Sequence, residues 1–339
     1  LSTGNPNART VSAVTIGRFR AEASPAVPAL ADALDDREVE VRNAAAEALA
    51  QIGPPASDAV PALIRKLNDA DRGMRWRAAN ALAAIGLPAK PAIPDLVDLL
   101  RKSVGNDEDD VQSRDAAATT LTRLAPESIP VLIEALCDEH AVVRSAAADA
   151  LARTGPQSGR GRRQGLPRGN GPDAPVAEHP ATQALLELLT SNTEPDTQAS
   201  AVQVLGRIGQ GAQNALPALT TAMNHQDPMR RVMAASAVWR VSRQSETVLP
   251  ELVAALKDDN IDVQVAAIAA LGDMGSSAEP ALGAIVEALR AADSRVRQQA
   301  VSALAALGSA AQPAVADLVK ALGDDDSGVR RQVVTTLGR

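Results

Sequence analysis

The chain is almost without aromatic side chains: one Phe, two Trp and no Tyr in 339 residues. That excludes a thick core filled by large rings. It leaves a thin core of Leu, Ile, Val and above all Ala, the best helix former. A single cysteine, Cys137, excludes an internal disulfide framework and any multi-cysteine metal site. No apolar run reaches the ~18 residues that a bilayer span requires. Basic charge does not dominate either. The net charge of −7 argues against a general nucleic-acid binder, whose footprint is usually basic overall. Lysine is scarce, so nearly all positive charge is arginine.

What the chain does have is a period. Arg9, Arg42 and Arg75 stand 33 residues apart, and after two changes of spacing the frame resumes at Gln198, Arg231, Gln264, Arg297 and Arg330. A period of this size marks an array of helical repeats, which grows along one axis and needs no closed core. Take this residue as position zero. Pro28 then opens a helix with Leu30 and Leu34 on one face, and Asp35 and Asp36 form a polar turn. Arg42 starts a second helix with Ala45, Ala46, Leu49 and Ile52 at helical spacing, and Gly53 closes it. Proline suits a helix start and glycine the left-handed residue after its end, so each unit reads as a helix–turn–helix hairpin. The closing position is glycine again at Gly86, Gly155, Gly209, Gly275 and Gly308, with Arg20, Ala125 and Ser242 as exceptions.

The proline, the leucine pair, the turn aspartate, Val-Arg, Ala-Ala, Leu, Ile and Gly together resemble the HEAT-repeat family, and in particular its short-helix bacterial branch with phycobilisome lyase-like repeats. The resemblance covers nearly the whole chain and implies an all-α, right-handed α-α superhelix of about nine hairpins, with second helices lining a concave face. It also implies a ladder between the recurring arginines and the turn aspartates Asp36, Asp69, Asp138, Asp258 and Asp324, six residues before position zero. These arginines are therefore expected to be structural. The family specifies a fold more than a function.

The frame breaks twice. Residues 101–110 lengthen one turn by six residues and carry the acidic run Asp107–Asp110, expected to be a solvated loop, with a cation or basic-partner contact as the alternative. Between Arg144 and Gln198 a further 21 residues intervene, rich in Gly, Pro and Arg and without apolar periodicity. The expected organisation is a helical block 1–155, an excursion 156–180 and a second block 181–339. Leu1 and Arg339 both fall inside repeats, which gives the expectation that the chain is part of a longer protein.

Catalytic chemistry finds little support. His140, His179 and His225 are not followed by Glu, unlike the His-Glu pairs that hold iron in deoxyhypusine hydroxylase on a similar scaffold, and each is expected at a surface or turn. Cys137 sits beside Asp138 and Glu139, which disfavour a thiolate. Trp76 and Trp239 lie in distant repeats, so they cannot wall one tetrapyrrole pocket; both are expected at a groove or edge. No cofactor is expected. The candidate site is the residue nine past zero, which is Arg123, Arg153, Arg207 and Arg240 in four consecutive repeats, with Arg160, Arg162 and Arg163 of the insertion beside Arg153. Such a stripe would suit an acidic peptide, a phosphate-bearing ligand or a nucleic-acid backbone. The competing reading is a set of cations at helix C-termini. The expected function is a non-enzymatic scaffold that binds a partner protein in the concave groove. Nucleic-acid binding and a substrate-holding module of a larger enzyme are the alternatives.

Overall fold

The computed structural model describes residues 4–154, 178–191 and 194–338, and every regular element among them is helical. Contacts divide the chain into two compact units: Leu1–Ala174 with His179–Ala184, and Pro175–Glu178 with Leu185–Arg339. In unit 1 the second helices are α1 (Pro6–Arg18), α3 (Val39–Ile52), α5 (Arg72–Ile85), α7 (Glu108–Arg123) and α9 (Ala141–Arg153). Its first helices are the short α2 (Val27–Ala33), α4 (Val60–Lys66), α6 (Ile93–Lys102) and α8 (Ile129–Ala135). After α10 (Thr182–Thr190), unit 2 has second helices α11 (Pro195–Ile208), α13 (Pro228–Ser242), α15 (Ile261–Met274), α17 (Ser294–Leu307) and α19 (Ser327–Leu337). Its first helices are α12 (Leu216–Ala222), α14 (Ser245–Ala255), α16 (Leu282–Ala288) and α18 (Val315–Lys320). Within each unit every second helix stacks on the next. This is the all-α repeat array that the 33-residue period predicts.

The local reasons are legible at both ends of each hairpin. Most second helices start where a carboxylate or amide accepts an N–H of the first turn, as Asp71 does from Gly73 (2.9 Å) and Asn260 from Asp262 (2.9 Å), whereas α3, α9 and α11 start without a side-chain cap. They end at glycines with positive φ, such as Gly53 (72°) and Gly308 (61°), and a 3-10 turn then leads into the next short helix. Where the closing glycine is missing, Arg20 (φ 52°) takes the left-handed conformation itself, and after α13 Arg243 (φ 60°) does so one residue beyond Ser242. Pro250 differs from the other opening prolines, because it lies inside α14, whose first turn starts at Ser245.

The core is a row of aliphatic side chains seven past zero, with Leu49, Leu82, Leu121, Leu151, Leu205 and Leu271 fully buried. Small residues set the spacing of the second helices. A Cβ on Gly206 would lie 2.9 Å from Ala237 Cα, and one on Gly17 would lie 2.9 Å from Ala48 Cα. In both cases position eight of one repeat faces position six of the next, so adjacent backbones approach as closely as an alanine–glycine contact allows. The helical stretch 294–323 is long and apolar enough in composition to cross a membrane, but Gly308 breaks it, and the α17 residues Val296, Ala300, Val301, Leu304 and Leu307 are buried in the repeat core.

The 101–110 segment departs from expectation. α6 runs on to Lys102 and α7 begins at Glu108, so the loop itself is short. Asp107, Glu108 and Asp109 of the acidic run are exposed, yet Asp107 caps α7 through Asp110 N–H (3.0 Å) and pairs with Arg72 (2.8 Å), and buried Asp110 accepts from Gly105 N–H (3.1 Å).

Candidate binding face

The residue at position zero has the same task in most repeats. Its side chain reaches back over the inter-helix turn and donates to the carbonyls five or six residues earlier: Arg42 to Asp36 and Arg37, Arg144 to Asp138 and Glu139, Arg297 to Ala291 and Ala292, at 2.9–3.2 Å. Gln264 does the same with its amide, donating to Asp258 O at 2.7 Å. This explains why glutamine can alternate with arginine there: the turn needs an N–H donor of that reach, and the charge is secondary. In the stretched repeat, Arg114 donates instead to Ser103 O (2.6 Å) and Gly105 O (3.0 Å). The turn aspartates cap the same turns from the other side. Asp36, Asp69, Asp138, Asp258 and Asp324 each accept the backbone N–H two residues on, at 2.9–3.0 Å.

Ladder rungs between repeats form at Arg9–Asp36 (2.8 Å) and Arg297–Asp324 (2.7 Å), each with two parallel hydrogen bonds. The Arg9 and Arg297 guanidiniums hold the Asp36 and Asp324 carboxyls below the usual carboxylate range. At other steps the partners differ. Asp69 goes to Lys66 (3.0 Å), Asp138 to Arg101 (2.9 Å), and Arg231 to Glu251 (2.7 Å). At Gln198–His225 and Gln264–Ala291 the residues cannot form a rung at all.

The four candidate arginines sit at exposed or half-exposed ends of second helices. Arg123 donates to Ala83 O of the preceding repeat (3.1 Å) and Arg153 to Asp149 O of its own helix (3.1 Å). Arg240 forms an ion pair with Asp273, the residue at the same position of the next repeat. Arg207 is exposed and also has a partner. Arg123 and Arg153 thus hold helix-end carbonyls, as cations at the negative end of a helix dipole do. Arg160, Arg162 and Arg163 lie outside the described residues.

Each unit has an open groove between neighbouring second helices. In unit 1, Trp76 and Asn80 of α5 face Gln112, Asp115, Ala116 and Thr119 of α7 across about 430 Å³. In unit 2, a smaller groove of about 240 Å³ is lined by Val202, Gly206, Met233, Ala237, Ala266 and Ala270 of α11, α13 and α15, together with Arg240 and Asp273. Positions one, two and five past zero supply most of these walls, and of them the sequence pointed only to Trp76. The signal was available as polar or aromatic residues on the helix face opposite the buried leucines.

The remaining expectations divide. Trp76 lines a groove as expected, but Trp239 is 5% exposed because it lies on the inner side of α13, and its buried indole N–H has no hydrogen-bond partner among the described residues. His140 and His225 are exposed, whereas His179 is 4% exposed. Its Nδ1 accepts from Ala181 N–H (3.1 Å) and its Nε2 meets Thr154 Oγ1 (3.3 Å). Burial pushes the His179 pKa down and keeps the ring neutral. Cys137 is exposed. Among the described residues, no three His, Cys, Asp or Glu side chains come together as a metal-ligand set.

Comparison with known proteins bears on the whole array. The family model described as HEAT repeats matches residues 27–111, 105–160, 182–260, 227–305 and 249–338. No curated protein sequence matches the chain. Among solved structures, Kap121p bound to Nup53p is similar at 17% identity, covering 99% of this chain and 40% of that one, with a TM-score of 0.61. Kap95p bound to RanGDP is similar at 14% identity over 99% of this chain and 51% of that one (TM-score 0.57). The Kap95:Nup1 complex gives 14% identity, 92% and 45% coverage and a TM-score of 0.56. The chain therefore spans about half the length of these structures or less, and at such identity the likeness is one of fold. Neither these structures nor the matching family model carries the phycobilisome lyase resemblance.

Proposed function

This chain belongs to the HEAT-repeat family, and from that premise we propose that it is a non-enzymatic scaffold that binds a partner protein along the face of its second helices. The observation that carries this reading is an open groove between second helices in each unit, whose walls include Trp76, Asn80, Asp115, Gln203 and Ser236, side chains outside the buried core. Arg123, Arg153, Arg207 and Arg240 edge the same face and are proposed as edge contacts to acidic groups of the partner. Arg160, Arg162 and Arg163 join them as the basic part of a tether, residues 156–180, between blocks 1–155 and 181–339. Among the similar structures, Kap121p is bound to Nup53p and Kap95 is in complex with Nup1, which supports protein binding as a use of this fold.

The test is site-specific photo-crosslinking in cells. A crosslinker at Gln203 or Ser236 on the second-helix face should capture a partner, and one at exposed Thr220 on a first helix should not. Capture from Thr220 alone would overturn the reading. Charge reversal at the four arginines should abolish that capture while the far-ultraviolet circular dichroism stays helical, and unchanged capture would remove the arginine edge from the proposal.

A further inference from the structure

We propose that the groove between α5 and α7 receives a lysine or arginine side chain from an extended basic segment of the partner; this rests on the partner-binding reading above and assigns its chemistry in unit 1. The chain has three aromatic residues, and Trp76 is placed one past zero, on the groove side of α5 rather than in the leucine core. Its ring already carries one guanidinium: Arg77 lies 4.2 Å from the ring centroid. Arg77 is itself held by Gly73 O (2.8 Å) and lies near Glu47 (3.8 Å), so it belongs to the scaffold.

Across the groove stands Asp115, exposed, with no hydrogen bond or ion pair among the described residues. Asn80 is likewise exposed and uncommitted, one helical turn beyond Trp76 on the same face. These groups form a complementary set. An indole attracts a cation and the aliphatic stem behind it. The carboxylate neutralises the charge, and a side-chain amide offers both a donor and an acceptor to the backbone of an extended chain. The surroundings have the same sign. At positions one, two and five past zero, the second helices of unit 1 carry Glu47, Asp115 and Asp149 as anions and Arg77 as the single cation. The arginine edge begins about 12 Å further along the helix, at ~1.5 Å per residue. A phosphate backbone would meet Asp115 as a repulsive neighbour.

The experiment uses the full chain and a capped decapeptide of Gly and Ser with a central Lys-Arg pair, followed by tryptophan fluorescence and titration calorimetry at low salt. Saturable binding is expected, weakened about tenfold by Trp76→Ala and about tenfold by Asp115→Asn. The same peptide with Glu at both central positions should not bind. Asp115 is exposed, so D115N tests the site without endangering the fold, and circular dichroism checks W76A. The proposal is overturned by absence of saturable binding, by variants that bind as tightly as the native chain, or by an acidic peptide or a single-stranded oligonucleotide that binds equally well. If the basic peptide fails while crosslinks from Gln203 or Ser236 persist, this inference alone falls; if both fail, the partner-binding reading falls with it.

Discussion

The residue at position zero is a carbonyl cap before it is a charge. Arg75 donates to Asp69 O at 2.7 Å and has no bidentate partner among the described residues, whereas Arg297 holds Asp324 as well as two carbonyls. Arg75→Gln should therefore leave the melting temperature nearly unchanged, as the natural Gln198 and Gln264 suggest. Arg297→Gln should lower it by about 2–4 °C, the scale of one charge-assisted hydrogen-bond pair lost in a chain of this size. Calorimetric scans of the two variants check this. Acid should act in two steps. His179 has a folded pKa below its ordinary 6.5, so the unfolded chain takes up the proton first, and the stability tied to neutral His179 is complete above that value and lost as pH falls towards the folded one. Asp36 and Asp324 are depressed below 3.8, so their contribution holds down to about that pH and disappears beneath it. Urea unfolding at pH 7.5 and 5.5 should show a loss that His179→Asn largely removes.

Between elements, contact is governed by small residues. Gly206 faces Ala237 at a distance that leaves no room for a methyl group. Gly206→Ala raises intrinsic helix propensity by about 1 kcal/mol, yet it should destabilise the chain by about 1–3 kcal/mol, because α11 and α13 must move apart. A urea titration showing stabilisation would refute this account of the stacking. The opposite change is expected at Arg20, which holds a positive φ of 52° without being glycine. Arg20→Gly should stabilise by about 0.5–1 kcal/mol by removing the left-handed strain at a helix end.

Across the whole molecule, stability in a repeat array is the sum of each repeat and its contacts with its neighbours. The effect of Gly206→Ala should therefore stay local. Hydrogen exchange measured by mass spectrometry should accelerate in α11, α13 and α15 and remain unchanged in α3 and α5. The candidate site was only partly legible at this scale. Ala45, Leu49 and Gly53 announce their roles by spacing, since a 33-residue period repeats whatever the core requires. The uses of Asp107, Asp110, Trp239 and His179 did not show, because each depends on a neighbour distant in sequence or on which side of a helix turns inward.

The sequence by itself determined that this protein is an all-α array of short helix pairs: its period, its buried leucines and its closing glycines each constrain the backbone locally. It also located the two interruptions and the arginines at zero and nine. Only the tertiary structure decided what those arginines hold. Guanidiniums reach whatever acceptor lies within a side chain's length: at position zero that was a turn carbonyl at nearly every repeat, with a carboxylate of the next repeat added at Arg9, Arg231 and Arg297. The structure likewise turned attention from position nine to the grooves at positions one to five, because an open surface is a property of neighbouring helices and belongs to no single segment of chain.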